Sequence, residues 1–184
     1  MELVPPREVE SAVAIAIRHE RVIMTNPKSY DALRTSKLAA ELSEEQCRVL
    51  AALVTLRDLK EGEVLVKEGE SDNHLYTILA GTISVVRNAG TRDAVPLFAI
   101  GTGDFADELG FMDGTVHYAS LVASGETRVL GIEREKLESL LADHPEIVYK
   151  VMRAIIRAVH QIQRQLSMQS AELTNYIYKL HGRY

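Results

Sequence analysis

Leu75-Tyr76-Thr77-Ile78-Leu79-Ala80-Gly81-Thr82-Ile83-Ser84-Val85-Val86 is the stretch whose reading settles the fold class. Its two short runs, 75–79 and 83–86, are rich in β-branched and aromatic residues and are parted by Gly81, as expected of short strands bounded by turns. The pattern continues outward between Thr55 and Ile132. Val64-Leu65-Val66, Val95-Pro96-Leu97-Phe98 and Ser120-Leu121-Val122-Ala123 are further runs, punctuated by Gly62, Gly69, Gly90, Gly103, Gly114 and Gly125. Many short strands with regular glycine turns predict an antiparallel sandwich or barrel.

On both sides of this region the apolar period becomes helical. Val9, Val13, Ala16 and Ile17 recur at helical spacing after Pro5-Pro6, Asn26-Pro27 breaks the chain, and a second helix is expected from Tyr30 to about Leu42. Ser43-Glu44-Glu45-Gln46 matches a capping box and opens a helix expected to bury Leu50, Leu53 and Val54. Beyond the strands, 133–141 reads as a helix. After His144 a long one follows, with Pro145 in its first turn, where a missing N–H does no harm. Met152, Val159, Leu166, Leu173 and Leu180 are spaced by seven, and Ile155, Ile162, Gln169 and Tyr176 fill the second seam position of a heptad stripe. Such a stripe packs either along its own barrel or against a two-fold-related copy. It outruns a barrel of this size, which favours a homodimer through this helix, with Gln169 and Tyr176 weakening the far half. The expected organisation is an N-terminal helical segment (1–42), a β-roll (43–145) and a long C-terminal helix (146–184).

The 184 residues, 46% hydrophobic and 26% charged, fit one globular domain with an appendage. Cys47 is the only cysteine, so no internal disulfide can form, in keeping with a reducing cytoplasm. No apolar run is long enough to span a membrane, and MELVPPREVE has neither the basic start nor the apolar core of a signal peptide. A net charge of −5 argues against general nucleic-acid binding. The charge is divided, however: residues 151–184 hold Arg153, Arg157, Arg164, Lys179 and Arg183 against Glu172 alone. The three helix arginines are expected on the solvent side of the seam, either simply hydrated or facing the acidic barrel of a second subunit.

Helices, a glycine-punctuated roll and a long helix, in that order, resemble the cyclic-nucleotide-binding domain of catabolite-activator/FNR-type regulators and protein kinase A regulatory subunits. Specific residues carry the resemblance. Lys60-Glu61-Gly62-Glu63-Val64-Leu65 and Lys67-Glu68-Gly69 look like the family's paired turn glycines. The run from Asp72 to Gly81 resembles its strand-turn signature, Gly101-Thr102-Gly103-Asp104-Phe105 the approach to the phosphate-binding cassette, and Gly131-Ile132-Glu133-Arg134-Glu135-Lys136-Leu137 the exit into the next helix. The match covers roughly 44–165. It implies an α+β fold: an antiparallel, jelly-roll-like β-roll (double-stranded β-helix) flanked by N-terminal helices and a long C-terminal dimerisation helix.

The resemblance also implies a site. In the family a short cassette helix aims its N-terminal amides at the cyclic phosphate. A Gly-Glu pair opens that helix, the glutamate taking the ribose hydroxyl, and an arginine some ten residues later clamps the phosphate. Here the cassette runs from Phe105 to Ser120, and its candidate ligand-binding residues are Asp107, Glu108, Leu109, His117, Tyr118 and Ala119. Glu108 is retained, but Asp107 stands at the glycine position and His117 at the arginine position. No Lys or Arg lies between Asp104 and Thr127 to stand in. Losing a two-pronged charged clamp costs roughly two to four powers of ten in affinity.

Cyclic AMP or GMP binding is therefore doubtful. Three uses of the segment stay open: nucleotide binding by an unusual clamp, a purely structural role, and a different ligand. In the structural role Asp107 and Glu108 cap the short helix, and His117 is a barrel histidine bonded to a carboxylate. An uncharged or cationic metabolite would suit an acidic pocket better than an anion. Haem, taken up by some of the wider family, would have only His74 and His117 as barrel ligands and is not expected; no cofactor is required.

The function expected is a regulatory, non-catalytic ligand-sensing or interaction module in the cytoplasm, with a small-molecule effector possible and no membrane partner. The chain reaches Tyr184 about where the family's transcription factors begin their helix-turn-helix, so direct DNA binding by this chain is not expected. One alternative is a functional cyclic-nucleotide effector domain of a Crp/Fnr-type regulator. Another is a metal-dependent cupin-like enzyme, disfavoured because the six histidines show no clustered ligand spacing. Nucleophile, P-loop and dinucleotide motifs are absent.

Overall fold

The structure, a computed structural model, describes residues 26–181. The expected helix carrying Val9, Val13 and Ile17 lies outside the described residues, as does much of the N-terminal segment.

Five α-helices and eight strands make up the described fold. Helices α1 (Pro27–Thr35) and α2 (Glu44–Ala51) precede strands β1 (Val54–Leu59), β2 (Val64–Val66), β3 (His74–Ala80), β4 (Thr82–Arg87), β5 (Val95–Gly101) and β6 (Phe105–Ala106). Then come the short α3 (Glu108–Asp113), β7 (Ser120–Ala123), β8 (Thr127–Glu133), α4 (Arg134–Glu138) and the 37-residue α5 (Pro145–His181). The strands form two four-stranded antiparallel sheets, ordered β1-β8-β3-β6 and β2-β7-β4-β5, as the glycine-punctuated pattern predicts.

Strand alternation divides the core in two. Leu75, Leu130 and Ile132 face the helices and join Leu33, Leu50, Phe111, Leu137, Ile147, Val151 and Ile155. Tyr76, Ile78 and Val129 face the other way and meet Leu65, Val85, Ala119 and Leu121 of the second sheet inside the roll. The capping box at the start of α2 is present, with Ser43 Oγ accepting from the Gln46 amide (3.2 Å) and Gln46 Oε1 accepting from the Ser43 amide (3.0 Å).

Several local expectations are corrected. The second helix starts earlier than Tyr30: the Asn26 side chain caps α1, and Pro27 takes the first position. The expected helix from Tyr30 to Leu42 ends at Thr35 and resumes as a 3-10 turn at Lys37–Ala39. Val54 belongs to β1, where it pairs with Ile132. Strands β1, β6 and β8 lie outside the apolar runs quoted above.

In α5, Ile147, Val148, Val151 and Ile155 are buried and Met152 and Val159 partly so, whereas every residue from 160 to 178 is exposed. The seam is thus packed on the chain's own body only in its first third. Arg153 and Arg157 do not form a free ridge. Both pair with Glu41 in the chain's own N-terminal region, Arg153 Nε at 3.5 Å, and Lys150 Nζ donates to Gln46 Oε1 at 2.7 Å.

Candidate functional site

The cassette is held between two hairpin-like ties. On one side, β6 pairs with β3 through Tyr76 opposite Ala106 and Thr77 opposite Phe105. On the other, the His117 amide donates to the Glu70 carbonyl (2.9 Å) and the Gly69 amide donates to the His117 carbonyl (2.8 Å). Between them α3 turns its apolar face inward, so that Phe111 is fully buried while Leu109 and Met112 are exposed. The Asp113 carboxylate accepts from the Thr115 amide (2.9 Å) and hydroxyl (2.7 Å) and closes the helix end.

Asp107 occupies the N-cap position of α3 with φ of 69° and ψ of 33°, a left-handed conformation that glycine adopts freely and other residues at a cost. The backbone here thus has the shape that a glycine would favour. The Asp107 side chain forms no capping hydrogen bond with α3, contrary to the structural role considered above for it. It turns toward His117, and its Oδ2 lies 3.1 Å from His117 Nε2, with the two side chains only 5% and 8% exposed. The contact lacks the alignment of a hydrogen bond, and both atoms are buried without another partner. A side chain at Gly110 would run into the Asp107 carboxyl, so a bare glycine there makes room for it.

Burial, reinforced by the nearby Asp72 and Glu108 carboxylates, pushes the Asp107 carboxyl up to about 8, although the adjacent Gly110 amide opposes the shift. Burial likewise pushes the His117 imidazole below its ordinary value, against a smaller upward pull from Asp72. At neutral pH the pair is therefore a carboxylic acid facing a neutral imidazole, not an ion pair.

Next to the pair, β3 and the residues just ahead of it contribute a second polar group. Asp72 receives the Tyr76 hydroxyl on Oδ2 (2.7 Å) and contacts His74 Nδ1 through Oδ1 (2.6 Å), while the His74 ring stacks on Tyr76 with centroids 5.7 Å apart. Burial and then the Asp72 carboxylate drive the Tyr76 hydroxyl well above the usual phenol range. Asp72 and Tyr76 were not among the candidate residues. Strand alternation was the available signal, since His74, Tyr76 and Ile78 share one face of β3.

Of the six candidates, the fold brings Asp107 and His117 together. Glu108, first residue of α3, is partly buried, and burial raises its carboxyl above the usual value. Ala119 is buried in the roll, whereas Leu109 and Tyr118 are 63% and 64% exposed. Among the described residues no three His, Cys, Asp or Glu side chains gather as a metal site would require, and no helix is long and apolar enough to cross a membrane.

Residues 56–144 match the family model for the cyclic nucleotide-binding domain. The two-sheet roll, its flanking helices and this match make residues 56–144 a cyclic nucleotide-binding domain, related to CRP-like regulators. The chain is similar to a CRP-like cAMP-activated global transcriptional regulator of Mycobacterium tuberculosis, with 28% identity over 110 residues, 60% of this chain and 49% of the relative. The chain thus spans about half the length of that relative. Among solved structures, a cyclic nucleotide-binding domain from Methylobacillus flagellatus superposes with a TM-score of 0.66 at 25% identity, covering 75% of this chain and 80% of the other. The N-terminal domain of a transcriptional regulator from Streptomyces coelicolor does so with a TM-score of 0.59 at 26% identity, covering 74% and 95%.

Proposed function

We propose that this chain is a regulatory, non-catalytic module of the cyclic-nucleotide-binding fold whose cassette does not clamp cyclic AMP or cyclic GMP. One observation carries the reading: the residues at the glycine and arginine positions of the cassette, Asp107 and His117, are buried against each other at 3.1 Å. A cyclic phosphate would meet an acid where the family has bare backbone, and a neutral imidazole where it has a guanidinium. The mycobacterial relative is named for activation by cAMP; in this reading the present chain does not share that property. Titration calorimetry with cyclic AMP and cyclic GMP is expected to give no saturable heat. Micromolar or tighter binding would overturn the reading.

The module works in the cytoplasm as a homodimer, paired through the outer part of α5. Ile162, Leu166, Leu173 and Tyr176 lie on the heptad seam and are all exposed, at 48%, 60%, 61% and 62%. Burying such a seam against a second copy stabilises the pair by roughly 25 cal/mol per Å² of apolar surface. Leu166→Asp combined with Leu173→Asp is expected to convert the protein to a monomer in sedimentation velocity while leaving its melting curve that of a folded chain. An unchanged sedimentation coefficient would discard this interface.

A further inference from the structure

We propose that the cassette seat around Asp107 and His117 takes a compact organic cation with paired N–H donors, an amidinium or a guanidinium. The inference rests on the preceding reading that the seat does not clamp a cyclic nucleotide, and it names what would be held instead.

Three observations carry it. First, Asp107 Oδ2 and His117 Nε2 lie 3.1 Å apart, on side chains more than nine-tenths buried, and neither makes a formed hydrogen bond. Buried polar atoms without partners are costly, and they are rare outside sites that await one. Once Asp107 is ionised, its Oδ2 and His117 Nε2 are two adjacent acceptors, which suit the parallel N–H bonds of a planar fork.

Second, the surroundings are negative. Asp72, just ahead of β3, and Glu108 and Asp113 from the cassette all act to raise the Asp107 carboxyl, and no Lys or Arg occurs between Asp104 and Thr127. The other charged or titratable groups close by are already engaged. Arg57 of β1 acts on the Tyr76 hydroxyl and pairs with Glu63 at 3.6 Å, Lys37 pairs with Asp104 at 2.6 Å, and His74 and Tyr76 are both tied to Asp72. Arg134 lies beside Gly114 at the end of α3, where it donates to Asn73 Oδ1 and acts on Asp113.

Third, Asp107 holds a left-handed backbone, unfavourable for a residue with a side chain, a cost of the kind that clusters at functional sites. The charge relation of the fold is inverted at this seat: acid in the protein, cation in the ligand.

Binding would ionise Asp107. The carboxylic acid loses its proton to solvent and the resulting carboxylate faces the cation, so uptake at pH 7 releases about one proton, given a carboxyl held at about 8.

The test is calorimetry of the unmodified chain at pH 7 with benzamidinium and methylguanidinium, using benzamide and methylurea as neutral isosteres, in two buffers of different ionisation enthalpy. Cyclic AMP and cyclic GMP form a separate arm. Expected are saturable binding of the cations alone, a buffer-dependent heat corresponding to proton release, and at least about tenfold weaker binding in Asp107→Asn. Should Asp107→Asn not fold, His117→Gln carries the same comparison. No saturable cation binding, equal binding of the isosteres, a buffer-independent heat or unchanged affinity in the folded variant would each overturn the proposal. Cyclic-nucleotide binding by the unmodified chain would instead strike the reading on which it rests.

Discussion

Combining His117→Arg with Asp107→Gly is expected to raise affinity for cyclic AMP at least about a hundredfold over the parent chain. Three contributions act together. A guanidinium at 117 supplies charge-assisted hydrogen bonds to the phosphate, worth about 1.5–3 kcal/mol each. Removing the side chain at 107 clears a buried carboxyl that lies 3.1 Å from His117 and against Gly110, and spares the phosphate the cost of keeping that acid protonated beside it. Glycine also adopts the left-handed backbone already present at 107, where φ is 69°, without penalty.

The single variants should gain much less. His117→Arg alone faces Asp107, which would neutralise it internally, and Asp107→Gly alone leaves only a neutral imidazole. The coupling energy of the double-mutant cycle, measured by calorimetry, is therefore expected to be large and favourable. Additive single effects, or a double variant that binds no better than either single, would show that the seat is closed to phosphate for another reason.

Stability of the unmodified chain is expected to fall by about 1.5 kcal/mol between pH 6.5 and pH 8, a decline that Asp107→Asn removes. The folded chain keeps the Asp107 proton up to about pH 8, whereas the unfolded chain releases it near 3.8. Across that interval the native state binds more protons, so raising the pH favours unfolding until Asp107 ionises in the fold. His117 acts in the opposite sense. Its lowered folded value makes protonation favour the unfolded chain, so its cost sets in around pH 6.5 and grows as the pH falls. Above 6.5 the Asp107 contribution stands clear of it. Urea unfolding across this window measures the slope; equal slopes in parent and variant would show that Asp107 is already ionised at neutral pH.

The roll was legible because strands β2, β3, β4, β5 and β7 carry β-branched or apolar runs that repeat between glycines. Strand β1 carries no apolar run, because Thr55, Arg57 and Asp58 interrupt it; it is a strand because it pairs with β8 from Val54 opposite Ile132 to Leu59 opposite Thr127. The two-residue β6 exists only through its pairing with Tyr76 and Thr77. No local pattern can announce such strands. The end of α1 at Thr35 was equally hidden, since the Ser36 amide and hydroxyl both bond back to the Leu33 carbonyl.

At the site, the departures at 107 and 117 could be read from the cassette, but not that the two side chains would meet. That depends on how the Glu70 and Gly69 turn ties down the segment ten residues beyond Asp107. Nor could the cassette order alone separate Leu109 and Tyr118, which face solvent, from Ala119, which is buried.

Helix α5 also has a mechanical consequence. Its root is clamped by Ile147, Val151 and Ile155 in the core and by Arg153 and Arg157 on Glu41. Residues 160–178 continue as an exposed rod about 28 Å long at 1.5 Å per residue. A tilt at the root of about 5° carries the tip about 2.5 Å sideways, close to half the pitch of a helical turn. Small rearrangements among the cassette, Phe111 and the residues it packs with would therefore be magnified at the far end, so that α5 serves as a lever whose fulcrum lies at the Glu41 clamp.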